Sequence, residues 1–300
     1  MPNRRQNDSP SGPRPICLES LALTQTSEDR ERNLSVGRGK VPEMILPVSI
    51  AAEWFKSISL DIFDTLLIRT ADTDVITQNA SLRWADIFRT FFDKKVSIEL
   101  IAQCREDCRS VGQLVLPLCS EKYTGIPVFK WFSSVVDMLV SDLGLTLDSS
   151  RRHDLVEHMI RAEVETEERF LRVNEPLKSW ARSLQECSPA TSIFFLSDMY
   201  LRTRDIQDIL GRFELRDLFD DGATSGDEHA TKRSGQLYKK FRNGQLVSSS
   251  HLHIGDDLES DVMQSRKAGC WAVHYTQGSY VGVFSPFSID EENSLFEEEI

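Results

Sequence analysis

Hydrophobic positions first take on a regular rhythm at Ser57. The run SISLDIF is β-prone, apolar at alternate positions, and stops at the polar pair Asp64-Thr65. That pattern predicts a strand feeding a loop. From about Ala71 to Phe170 the period becomes helical. In DVITQNASLRWADIFRTFF, Val75, Ile76, Leu82, Ile87 and Phe88 recur at helix-like intervals. SIELIAQCREDCRSVGQLV follows, with Ser97 as a candidate N-cap. PVFKWFSSVVDMLVSDLGL starts near Pro127 and ends near Gly144. SSRRHDLVEHMIRAEVETEERFL reads as a long charged helix, and no strand is predicted in this whole stretch.

After Asn174-Glu175-Pro176 the pattern alternates. LKSWARSLQEC reads as helix, SIFFLS as a buried strand, RTRDIQDILGRF as helix and LFDDGATS as strand and loop. KRSGQLYKKFRNG reads as helix, HLHIGD as strand, LESDVMQSRKAG as a helix ending at Gly269, and CWAVHY as strand. Strands alternating with short helices predict an α/β fold, a Rossmann-like doubly wound parallel sheet. The first strand belongs with the later ones, so the α/β core is discontinuous, 46–70 and 175–285, and the helical block 71–174 interrupts it. Such a block sits over the carboxyl ends of the strands, where open parallel sheets place their sites. Residues 1–45, rich in Pro, Ser, Asn, Arg and Glu, read as a disordered leader or as the product of a mis-assigned start. Residues 286–300 read as a solvated acidic tail.

Composition narrows the classes of function. With 40% hydrophobic and 27% charged residues, a chain of 300 can build a sizeable core. Its net charge of −12 gains nothing from counterion release, so nucleic acid is not an expected partner. No apolar run is long enough to span a membrane, and no apolar h-region follows the basic N-terminus. Six scattered cysteines without a framework fit a reducing cytoplasm. Cys104 and Cys108 are four apart on a predicted helix, but with no second ligand pair they read as ordinary helix residues. Trp84, Trp131 and Trp180 read as core. His251 and His253 share a strand face and read as packing, since hard-cation sites prefer oxygen. Oligomeric state is not legible in the sequence.

Four strand ends deliver the polar groups: Asp61-Ile62-Phe63-Asp64-Thr65, Ser197-Asp198, the stretch leading to Lys232, and Gly255-Asp256-Asp257-Leu258-Glu259-Ser260-Asp261. A carboxylate at a strand end can attack phosphorus or carbon and form a covalent intermediate. A hydroxyl beside backbone N–H groups can hold phosphate oxygens, and a lysine can neutralise charge on the transferring group. Clustered carboxylates want a hard divalent cation, of which Mg²⁺ is the natural occupant beside a phosphate. A lysine near a helix start opposes the helix dipole, which points to a role for Lys232. Asp257 and Asp261 read as a metal ligand and a lysine-orienting group, or as loop acceptors; Asp256 is the favoured direct ligand.

In order and spacing these four segments resemble the four motifs of the haloacid-dehalogenase-like (HAD) superfamily. Asp61 to Thr65 looks like the first motif, Ser197 the second, Lys232 in KRSGQLY the third, and GDDLESD the acidic fourth. The forms SLDIFDTLL-x-R, FLSDMYL and EVETEERFLRVNEP are similar to a subgroup of HAD hydrolases with a helical cap. The resemblance implies a HAD core with an inserted all-helical cap and Mg²⁺-dependent phosphomonoester hydrolysis through an aspartyl-phosphate. Asp61, Ser197 and Lys232 would be catalytic, and Thr65, Ser197 and Lys232 would hold phosphate. Asp61, the Phe63 backbone carbonyl and Asp256 would hold the metal, with Asp64, Asp198, Asp257 and Asp261 in support. The implied substrate is a small phosphorylated metabolite such as a sugar or nucleotide phosphate. One position departs from the phosphatase pattern: the acid expected two residues after the nucleophile is Phe63. Asp64 is a candidate replacement, but strand geometry turns its side chain away from Asp61. Haloacid dehalogenases also lack that acid. Two alternatives therefore stand, a metal-independent, dehalogenase-like hydrolase of carbon–halogen bonds and a non-catalytic HAD-like binding module. So many carboxylates without a cation would repel one another, which favours the Mg²⁺ reading.

Overall fold

The computed structural model describes residues 46–119, 127–245, 250–276 and 279–287, so the expected leader and all but the start of the acidic tail lie outside the described residues. The strands in chain order are β1 (Ser57–Leu60), β2 (Leu67–Arg69), β3 (Leu171–Val173), β4 (Ser192–Ser197), β5 (Asp221–Thr224), β6 (His251–Gly255), β7 (Trp271–Thr276) and β8 (Ser279–Phe284). Six of them form one sheet in the order β5-β4-β1-β6-β7-β8. β1 lies inside it, parallel to β4 and β6, and all four of its residues are buried. A strand covered on both faces reads as a short run without exposed positions. Ile58 and Leu60 are fully buried, and each contributes roughly 1.5–3 kcal/mol. From β1 the chain builds outward both ways, β4 then β5 on one side and β6 then β7 on the other. The crevice of an open α/β sheet forms at such a place, beyond the carboxyl ends of the strands.

The helices are α1 (Val48–Trp54), α2 (Thr73–Phe92), α3 (Ile98–Cys119), α4 (Val128–Asp142), α5 (Ser149–Arg169), α6 (Glu175–Cys187), α7 (Thr203–Arg212), α8 (Ser225–Glu228), α9 (Gln236–Gln245) and α10 (Gln264–Lys267). α2 to α5 pack on one another as a four-helix block. Trp84 is fully buried inside it, its indole N–H donating to the Met159 carbonyl at 3.2 Å and its ring meeting Phe132 edge-on at 4.4 Å. A charged pair is buried there too. Arg105 donates twice to Glu163, at 2.9 and 2.7 Å, and Tyr200 donates to the same carboxylate at 2.7 Å. Tyr200 follows β4, so this cluster fastens the helical block to a loop at the carboxyl end of the sheet. Arg202 adds an ion pair to Glu157 of α5 at 2.6 Å.

Several elements differ from the expectation. β2 and β3 form an antiparallel two-stranded ribbon that holds the two ends of the helical block side by side. Three-residue strands are too short to show a period, so the stretch reads as helix throughout. β8 runs antiparallel to β7 at the sheet edge, so the sheet is mostly rather than wholly parallel. α1 precedes the first predicted strand and packs on α6. The segment Leu258–Met263 is a π-helical turn leading into α10 rather than one regular helix. The helix expected from Lys232 begins only at Gln236, after a turn in which Gly235 takes φ +70°.

Candidate active site

The β1 ladder runs one residue past the strand, the Asp61 N–H donating to the Ile254 carbonyl at 2.8 Å. The chain then folds back on itself. Leu66 and Leu67 both donate to the Ile62 carbonyl, at 3.0 and 2.8 Å, and Asp64 takes a left-handed φ of 62°. Asp tolerates that region better than most residues. The Asp64 carboxylate faces Arg69, accepting its backbone N–H at 3.2 Å and its guanidinium at 2.6 Å. It is therefore committed to the ribbon. Asn174 clamps the same loop, donating to the Thr65 carbonyl at 2.8 Å. The buried Thr65 hydroxyl donates to Asp256 at 3.1 Å, joining the loop after β1 to the loop after β6.

Lys232 is fully enclosed and its Nζ lies 2.5 Å from both Asp61 Oδ1 and Asp261 Oδ1. The Asp198 carboxylate holds its loop, accepting the Lys232 N–H at 2.6 Å and the Arg233 N–H at 3.1 Å. Because the lysine precedes α9 by a turn, the dipole conflict read from the sequence does not arise. Asp257 caps the π-helical turn by accepting the Ser260 N–H at 2.6 Å and meets Arg233 at the surface at 3.0 Å. Asp261 takes the Asp257 N–H at 3.0 Å on its other oxygen. Ser197 ends β4, buried, and its hydroxyl has no hydrogen-bond partner among the described residues. The structure thus gathers Asp61, Lys232, Asp256, Asp261 and Thr65 at one point, while Asp64 and Asp257 turn to structural partners.

Gly255 has no room for a side chain, since a Cβ there would fall 2.3 Å from Asp261 Cγ. Gly255→Ala is expected to displace Asp261 from Lys232 and to lower turnover by roughly 10–100-fold, the usual scale for disturbing a supporting shell. Steady-state rates of the variant at unchanged fold would check this.

The electrostatics are unbalanced. Oxygens of Asp61, Asp256 and Asp261 all lie within 4.8 Å of one another. Burial pushes the Asp61 carboxyl up; Lys232 opposes this, and Asp261 and Asp256 reinforce it, the upward direction prevailing. Burial also pulls Lys232 down, but Asp261, Asp61 and Asp198 more than reverse it and keep the ammonium charged. Burial would raise Asp261, but Lys232 and His253 hold it well below the carboxylate range. Three carboxylates face one ammonium. The donor set suits a hard divalent cation: Asp61 and Asp256 each have one oxygen without a hydrogen bond, and no hydrogen bond reaches the Phe63 carbonyl among the described residues.

Two features of the site escape a reading of the sequence. Arg69 lies over the Phe63 ring, 4.4 Å from its centroid, and also reaches Glu167 of α5 at 3.4 Å. A polar column, Ser57, His251, Ser59 and His253, also runs through the sheet between β1 and β6 to Asp261. The alternation Ser-x-Ser and His-x-His is its signal in the sequence, but only the pairing of Ser57 with His251 and Ser59 with His253 joins the two.

No protein-family model matches the sequence, and no curated protein does so significantly. Solved structures do. A 2-haloacid dehalogenase from Pseudomonas syringae pv. tomato is similar at TM-score 0.54 and 16% identity, covering 74% of this chain and 86% of its own. YfnB of Bacillus subtilis, assigned as a HAD hydrolase and solved bound to magnesium, gives 0.48 at 14% identity, covering 81% and 98%. A predicted phosphoglycolate phosphatase from Haemophilus somnus gives 0.44 at 16%, covering 76% and 87%. At such identities the likeness is one of fold, a mostly parallel sheet flanked by helices as in HAD-like hydrolases. A fold does not set the reaction, so the chemistry has to be argued from the site.

Proposed function

We propose that this protein is a Mg²⁺-dependent hydrolase of small phosphomonoesters in which Asp61 is the nucleophile. The observation that carries the reading is the excess of carboxylate, with Asp61, Asp256 and Asp261 gathered near the buried ammonium of Lys232. A phosphate could not approach that cluster unless further positive charge came with it. Asp61, Asp256 and the Phe63 carbonyl would hold Mg²⁺, which when bound would neutralise charge on the phosphoryl group.

Asp61 attacks phosphorus, the ester P–O bond breaks, and an aspartyl-phosphate forms; water then attacks the phosphorus and releases phosphate and the carboxylate. Lys232 orients Asp61 and offers an ammonium to the phosphoryl oxygens as negative charge builds. The Ser197 hydroxyl, which has no hydrogen-bond partner among the described residues, would hold a phosphoryl oxygen from the end of the neighbouring strand. Thr65 acts through Asp256, keeping it aligned with the β1 loop. The helical block α2–α5 serves as a cap that excludes water and selects the substrate.

The side chain of Phe63 can move no proton, and the guanidinium over its ring, Arg69, is tied to Asp64 and Glu167. The site is thus suited to leaving groups that depart without protonation. The same residue favours a second reading, a metal-independent dehalogenase. Hydrolysis of p-nitrophenyl phosphate separates the two, because its leaving group needs little protonation. Turnover with Mg²⁺ that stops in EDTA is expected. Halide release from a 2-haloacid, undiminished by EDTA and with no phosphate hydrolysis, would replace this reading with the second.

A further inference from the structure

The column through the sheet has a direction. The Asp261 carboxylate can only accept, so at 3.0 Å His253 Nε2 must be the donor. Its Nδ1 is then an acceptor, and the Ser59 hydroxyl donates to it at 2.7 Å. The Ser59 oxygen in turn accepts from His251 Nε2 at 2.8 Å, which leaves His251 Nδ1 to accept from the Ser57 hydroxyl at 2.8 Å. Every proton in the column points towards Asp261, and with neutral rings turning any one link round would set two acceptors face to face. Both rings are fully buried, and burial disfavours their charged form. The column therefore presents the end of a string of aligned dipoles to a carboxylate without adding a formal charge. Its last bond falls on the same oxygen, Asp261 Oδ1, that receives Lys232. The other groups facing His253 are the Tyr238 ring, edge-on at 5.2 Å, and Lys232 beyond Asp261.

We propose that His253 is a positioning residue for the hydrolysis: its tautomer set by Ser59 and His251, it holds Asp261 in the orientation that fixes Lys232 on Asp61. The second nitrogen of an imidazole decides which proton the first one carries, and partners of this outer kind matter to a site nearly as much as the residues they orient. Without the His253 bond, the Asp257 N–H on Oδ2 is the remaining neutral hold on the Asp261 carboxylate, the Oδ1 that receives Lys232 is less firmly oriented, and the ammonium moves with it. The proposal rests on the hydrolase reading above.

Two substitutions separate orientation from packing. His253→Gln keeps an amide N–H at the reach of Nε2 and so keeps the donor to Asp261; His253→Asn ends at the level of Nδ1 and loses it. With Mg²⁺ and p-nitrophenyl phosphate, kcat of the Gln variant is expected within a few-fold of wild type. The Asn variant should fall by about 10–100-fold with KM little changed. Equal kcat in the two variants would overturn the proposal. Independently of activity, ¹⁵N-histidine NMR of the wild-type protein should show His251 and His253 both neutral and protonated at Nε2. A His253 protonated at Nδ1 would overturn the proposal even if the Asn variant failed to fold. Absence of wild-type turnover bears on the hydrolase reading, and the tautomer spectrum reads the column in either case.

Discussion

Asp61→Asn is expected to abolish turnover while leaving the protein at least as stable as the wild type. An amide cannot form the aspartyl-phosphate, and removing the nucleophile of a covalent enzyme costs on the order of 10⁶ in kcat. Stability should move the other way. Asp61 is buried with Asp256 and Asp261 close by, and burial together with those two carboxylates disfavours its ionised form. Asparagine keeps an oxygen for Lys232 and removes a charge from a site that has too many of one sign. Sites built for chemistry rather than stability commonly respond so. Single-turnover assays and thermal unfolding without added metal measure the two effects on one preparation. Retained activity would remove Asp61 as nucleophile, and a markedly lower midpoint would mean that the carboxylates are not in conflict.

Lys232→Met is expected to lose activity and stability together. The substitution nearly conserves volume, so packing changes little, but it leaves Asp61 and Asp261 buried without the ammonium that lies 2.5 Å from each. Breaking a buried charged cluster by removing one partner costs about 3–5 kcal/mol. That corresponds to a midpoint lower by roughly 10 °C in a protein of this size. Thermal unfolding of the single variants and of the Asp61→Asn, Lys232→Met double variant closes a cycle, and strong coupling between the two sites is expected. Unchanged stability in Lys232→Met would show that the lysine is not the counter-charge of the site.

Much of this arrangement can be read from the chain because the chemistry sits where strands end. Asp61, Ser197 and Asp256 each stand at or just past the end of a predicted strand, which is visible in one dimension, and Lys232 lies in the polar stretch between β5 and α9. The structure brings oxygens of Asp61, Asp256 and Asp261 within 4.8 Å of one another, with Lys232 bonded to Asp61 and Asp261. It also shows what a linear reading misses. Arg105, Glu163 and Tyr200 form one buried cluster from three distant segments, and nothing in any one segment marks it. β2 and β3 are too short for alternation to show. The Ser and His pairs depend on a register between strands that lie far apart in sequence. The period of a strand turns Asp64 away from Asp61, but not towards any partner that the sequence identifies; in the structure that partner is Arg69. Asp257 lies beside Asp256 in sequence but caps a helical turn. Neighbours in sequence at a loop point to different places, and only the backbone turn decides which of them faces the site.

The inserted helical block also sets the order in which the protein can be built. β1 is translated early, yet it pairs with β4 at 192–195 and with β6 at 251–254. At ~5–20 residues per second on a ribosome, the strand carrying Asp61 waits many seconds for its neighbours. Over the same interval α2 to α5 leave the ribosome in an unbroken row, joined by local contacts of the kind that form fastest. The contacts within the helical block are thus all available before the sheet can be completed, and Asp61 has both of its strand neighbours only once β6 has been made.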